Sequence, residues 1–229
     1  MREGEDMQRQ ISVGIFKDPW SAITHFAGFV LASAGALALV WMTLDEPAKR
    51  LAMAAYGGSL VLVFLSSSLY HFFDIGESGN RWLRRIDHAA IFGLIAGSYI
   101  PPILILLDGP WRFWMLTVVI GLAAVGAVFK MAWIDCPDAL GAGLYLALGW
   151  VVVIPAHLIF PQLEVSQIAW LVVGGVAYTV GAVVFVKERP DPWPDTFGHH
   201  EVWHMFVLAG AGAHFMFTLQ LVDVPVPAF

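Results

Sequence analysis

Ser67, His71, Asp87, His200 and His204 are the residues of this chain whose types and spacing suit chemistry. His200 and His204 are four apart, so on a helix their rings face the same way, one turn apart. Ser67 and His71 share that spacing. Two imidazoles from one helix and a third from another give a tetrahedral cation three ligands. One position stays open, as in catalytic rather than structural zinc sites. Zinc so held lowers the pKa of its water to about 7. Asp87 can accept a proton from that water, and Ser67 can orient the water or donate a hydrogen bond to a developing oxyanion. His200-Glu201-Val202-Trp203-His204 is also a literal H-E-x-x-H, in which zinc proteases use the glutamate as general base. Here the string opens an apolar span, so Glu201 can instead face the interface or a loop cation such as Arg189.

The elements that must position these groups are membrane helices. Of 229 residues, 59% are hydrophobic and 13% charged, about half the charge of a soluble domain. A hydrocarbon core of about 30 Å takes roughly 20 apolar residues in a helix. Runs of that kind lie at 20–43, 51–73, 88–107, 111–129, 139–161, 165–186 and 202–222. The links between them are short, among them Asp45-Glu46-Pro47, Asp74 to Arg85 and Glu188 to His199, and leave no room for a second soluble domain. The expected fold is an all-α integral membrane protein: a polar N-terminal segment, 1–19, and a seven-transmembrane-helix domain, 20–229. With the N-terminus cytoplasmic and the C-terminus outside, nine of the twelve basic residues fall on the cytoplasmic side and Lys49, Arg50 and Arg112 on the other, as the positive-inside rule requires. Pro101-Pro102 should kink the third span and Pro155 the fifth.

Helix parity then brings the end of span two, the start of span three and the start of span seven to one membrane face, the cytoplasmic one. Simpler roles exist for each group. Asp87 suits an N-cap for span three, and Ser67 suits a bond to a carbonyl one turn back. His25, in the first span, suits an interhelical hydrogen bond or the surroundings of the metal. His88 is a structural neighbour of Asp87. His214 lies ten residues beyond His204, about 15 Å deeper, and His157 is interfacial. Arg81, Arg84 and Arg85 determine topology and attract anionic headgroups.

Three stretches carry a family resemblance. Ser67-Ser68-Leu69-Tyr70-His71, Asp87-His88-Ala89-Ala90-Ile91-Phe92 with Gly97-Ser98-Tyr99-Ile100-Pro101, and His200-Glu201-Val202-Trp203-His204 resemble the signatures of the progestin and adipoQ receptor superfamily. The length and the Trp20 to Gly28 opening resemble its bacterial hemolysin III branch. The resemblance implies seven helices with a zinc ion near the cytoplasmic face, ligands His71, His200 and His204, and Asp87 near the bound water. The family's motif position matching Glu201 also accepts Gln, which weakens Glu201 as an obligatory base. His199 stands beside His200, and the spacing to His204 favours His200 as the ligand. For animal members the resemblance implies ceramidase-like lipid amide hydrolysis, and for bacterial ones haemolysis and membrane-lipid homeostasis.

The expected function is therefore zinc-dependent hydrolysis of a lipid amide or ester bond in a bacterial inner (cytoplasmic) membrane, with membrane lipids, ceramide-like or phospholipid, as partners. The alternative is a non-enzymatic sensor or pore-forming protein with structural zinc. No basic stripe suggests nucleic acid. One cysteine, Cys136, excludes an internal disulfide and a Cys-rich zinc site. None of the four lysines, Lys17, Lys49, Lys130 and Lys187, lies in span seven, so a retinal Schiff base has no amine. Oligomeric state is not legible in the sequence.

Overall fold

A computed structural model describes residues 17–194 and 196–227; most of the polar segment 1–19 lies outside them. The long helices are α1 (Pro19–Trp41), α2 (Pro47–Phe72), α3 (Gly76–Leu106) and α4 (Gly109–Ala132). Then come α5 (Asp138–Gly149), the short α6 (Ala156–Ile159), α7 (Val165–Lys187) and α8 (His199–Gln220). Acid-and-proline pairs open the first two: Asp18-Pro19 and Glu46-Pro47. Proline loses nothing in a first turn because the N–H it lacks has no helical partner there, and a carboxylate suits the positive end of the helix dipole.

Among the described residues six helices are long and apolar enough to cross a membrane, and the bent pair Asp138–Val153 and Ala156–Gln162, taken as one span, makes a seventh. The fifth expected span is thus broken, with a 43° bend. Pro155 cannot donate, and its ring opposes the carbonyl four residues back. The chain passes through a 3-10 segment, Trp150–Val153, to reach it. Such a break survives inside a membrane only where protein serves the freed backbone groups. Tyr99 of α3 does this: its hydroxyl accepts from the Val152 N–H at 2.8 Å and stands in hydrogen-bond range of the Leu148 and Gly149 carbonyls. α3 continues through Pro101-Pro102, both buried.

One boundary differs more. The expected link Asp74 to Arg85 is helix from Gly76 onward. Asp74 accepts from the Gly76 N–H and from Asn80, and Asn80 accepts from the Ile75 N–H, so side chains start this helix where hydropathy gives no signal. The turn needs Gly76, whose φ is +84°. Asp87 therefore lies well inside α3, and the N-cap role does not apply.

α2 and α3 form the centre of the bundle. α1 packs on α2 and α8, α4 on α3, and α7 on α8. Small residues let the axes approach closely: a Cβ on Gly57 would stand 2.6 Å from the Ala36 Cβ and 2.9 Å from its Cα. At the end of the bundle away from the histidines, two buried cations hold the C-terminal segment. Lys49 donates to the Val222 carbonyl at 2.7 Å, and Arg112 to the carbonyls of Leu107 and Pro227.

Candidate metal centre

The three histidines meet. One ligand nitrogen each from His71, His200 and His204 lies within 4.8 Å of the others, and no further carboxylate or thiol joins the group among the described residues. The Nε2 atoms of His71 and His200 are 3.4 Å apart. Two nitrogens, each about 2.0–2.1 Å from one tetrahedral ion, stand about 3.3 Å apart, so this pair already has the spacing of shared ligands. His199 takes no part in the group.

The surrounding residues set the rings. The Asp18 N–H donates to the His71 carbonyl at 3.0 Å, and its Oδ2 accepts from His71 Nδ1 at 2.9 Å. That bond places the His71 proton on Nδ1 and turns the lone pair of Nε2 toward His200. A carboxylate behind a ligand imidazole fixes its tautomer and raises its basicity. Partial burial pushes the Asp18 carboxyl up, but the hydrogen bond from His71, helped by the Lys17 ammonium, outweighs it and holds the group below its ordinary 3.8. His204 is 1% exposed, and its Nδ1 finds no hydrogen-bond partner among the described residues. The His25 ring stacks on it, centroids 3.7 Å apart and planes 12° apart. Donor type, spacing and supporting carboxylate all fit a divalent cation such as zinc.

Ser67 does not bond back to its own helix, as its neighbours Ser66 and Ser68 do. Its Oγ is 2.7 Å from His25 Nδ1. His25 thus fills both places open to it, an interhelical hydrogen bond and the surroundings of the metal ligands. Glu201 Oε1 accepts from the Ser21 hydroxyl at 2.9 Å and Oε2 from the Gly198 N–H at 2.8 Å. It caps α8 and ties it to α1, which gives it a structural part at the start of that helix. Arg189 is not its partner.

Asp87 is buried, with His88 Nδ1 at 3.3 Å. With Ser67 and His25 it lines a cavity of about 340 Å³ bordered by α3, α5, α7 and α8. The rest of that wall is mainly apolar and aromatic, including Ile95, Tyr145, Leu171, Trp203 and Phe217. His214 lines the same cavity further along α8, away from the three ligands. The arrangement sets a tri-imidazole centre, a serine and a carboxylate close to a void with a mainly apolar lining.

Sequence reasoning missed Asp18, which carries no sign of its partner 53 residues away. Its one local signal is an acid directly before the first span. The stacked position of His25 was equally hidden.

The chain matches a family described as haemolysin-III related over residues 13–215. It is 32% identical over 209 residues to the hemolysin-3 homolog of Bacillus subtilis (strain 168), covering 90% of this chain and 94% of that protein. It is 30% identical over 201 residues to hemolysin-3 of Bacillus cereus, covering 87% and 89%. Heptahelical transmembrane protein 1 of Arabidopsis thaliana is 30% identical over 185 residues, covering 73% and 55%.

Proposed function

The chain belongs to the haemolysin-III related family, and from that membership and the geometry above we propose that it hydrolyses an amide or ester bond of a membrane lipid, in the manner of a ceramidase, using zinc held by His71, His200 and His204. The observation that carries this reading is the meeting of three imidazoles next to a largely apolar cavity, whose wall holds Asp87, Ser67 and His25, the last stacked on the His204 ring. When bound, zinc supplies Lewis acidity and a nucleophilic water at neutral pH.

The chain's own groups do the rest. The apolar wall takes the lipid chain and keeps bulk water out. Asp87 is the proton acceptor and later returns the proton to the leaving amine or alkoxide. With the His25 proton on Nδ1, Ser67 Oγ accepts from it and keeps its own hydrogen free for the carbonyl oxygen of the substrate, where charge develops. Asp18 and His25 hold the ligand rings.

The histidine face is the cytoplasmic one in this proposal, in a bacterial inner membrane. Nine basic residues against three support it. A lytic or sensing protein braced by zinc is the competing reading, and the names of the two Bacillus relatives favour it. A conducting pore needs a polar lining through the whole membrane, and the mainly apolar cavity wall argues against one.

The test is metal analysis of the purified protein, followed by lipid analysis after incubation with mixed ceramides and phospholipids. One zinc per chain is expected, with turnover lost in Asp87→Asn while zinc stays. Lipid hydrolysis retained in both His71→Ala and Asp87→Asn would refute the proposal.

A further inference from the structure

The cavity wall holds a second ionic group that the proposed hydrolysis does not use. Lys130, in the last turn of α4, is 3% exposed. Its ammonium donates to Cys136 Sγ at 3.2 Å. An ammonium has three donors and a thiol is a weak acceptor. No ion pair to Lys130 occurs among the described residues. Asp138 borders the same cavity but is exposed and makes no such pair. The negative end of α4 makes a cation tolerable here without filling its donors.

The surroundings keep the ammonium in place and leave room beside it. A Cβ on Gly141 would lie 2.9 Å from Nζ and 3.1 Å from Cε. Lys130, Gly141, Tyr145 and Asp87 line one cavity. Arg81 and Arg84 both pair with Asp135, which pins the turn that carries Cys136. A buried cation with unfilled donors at an apolar void is costly unless an anion meets it.

We propose that Lys130 is an oxyanion subsite, which anchors the anionic end of a single-chain amphiphile whose apolar chain lies along the cavity. The identity of the cavity as a lipid site rests on the reading above; the anion preference does not. The oxyanion is either a carboxylate released by cleavage or a phosphate already on the lipid, and Lys130 recognises what the two share. Asp87, on the same wall, repels that end and so orients the molecule toward Lys130.

The experiment is binding of cis-parinaric acid and of its methyl ester to the full chain in neutral detergent. It uses wild type, Lys130→Met and Lys130→Arg, each checked by gel filtration and thermal melting. All measurements are repeated in His71→Ala stripped with a chelator and shown by metal analysis to be metal-free, so that carboxylate binding to a metal is excluded. Wild type is expected to prefer the acid by about tenfold or more, the worth of charge-assisted hydrogen bonds. The preference should persist in His71→Ala and Lys130→Arg and vanish in Lys130→Met with zinc content unchanged. Displacement of the probe by palmitate assigns the released carboxylate, and by lysophosphatidate the headgroup; either supports the subsite, and displacement by neither overturns it. Equal affinity of wild type for acid and ester overturns it even if Lys130→Met fails to fold, as does an acid preference that survives in Lys130→Met. An absence of lipid turnover would refute the hydrolase and leave this readout standing.

Discussion

Asp18 touches no substrate and ligates nothing, yet its removal should weaken the metal centre. Its carboxylate holds the proton of His71 on Nδ1, while its own N–H grips the His71 carbonyl. Carboxylates behind ligand histidines are worth about 10–100-fold in metal affinity, or about 1.4–2.8 kcal/mol. Asp18→Asn keeps the backbone bond and a neutral acceptor, so about tenfold is expected. Asp18→Ala keeps the backbone bond alone and should approach the upper figure. The assay is competition for zinc against a chelating dye of known affinity, with metal-free melting curves to show that each variant is folded. The pH dependence has a definite sign. A carboxyl held below 3.8 contributes fully above that value and loses its contribution as pH falls through the lower folded value. The ratio between wild type and Asp18→Ala should therefore be constant above about pH 7.5, where imidazoles are ordinarily neutral and do not lose the metal to protons. Wild-type affinity in both folded variants at that pH would refute the role given to Asp18.

Tyr99→Phe removes the hydroxyl that serves the broken fifth span and leaves the Val152 N–H without it, so unfolding should become easier by about 1–3 kcal/mol; an unchanged melting curve would contradict this. Glu201→Gln keeps one acceptor oxygen for two donors, Ser21 and Gly198, and should cost about 0.5–1.5 kcal/mol of stability while zinc content and turnover persist; a loss of turnover with zinc retained would restore Glu201 as a base. Lys49→Met cuts the bond to the Val222 carbonyl and should cost about 1.5–3 kcal/mol, with faster proteolysis of the C-terminal segment as its readout.

Most of the fold was legible because membrane helices announce themselves by length and apolarity. The expected spans other than the third and fifth agree with α1, α2, α4, α7 and α8 to within four residues at each end. The two exceptions have local causes that hydropathy does not register. The start of α3 is polar and is held by side-chain bonds around Asp74, and the fifth span breaks at Pro155 because Tyr99, 53 residues from Val152, is there to serve it.

The same division runs through the site. Residues spaced by one turn, His200 with His204 and Ser67 with His71, share a helix face wherever the helix goes, and short links bring their spans to one side. Local periodicity and helix parity were therefore enough to place three imidazoles together. What stands behind them was not. Asp18 under His71, His25 against His204 and Ser67, and Glu201 tied to Ser21 of α1 are contacts between segments distant in sequence. They depend on how each helix is rotated about its axis and how closely it approaches its neighbours, and those quantities are set by packing across the whole bundle rather than by any stretch of the chain.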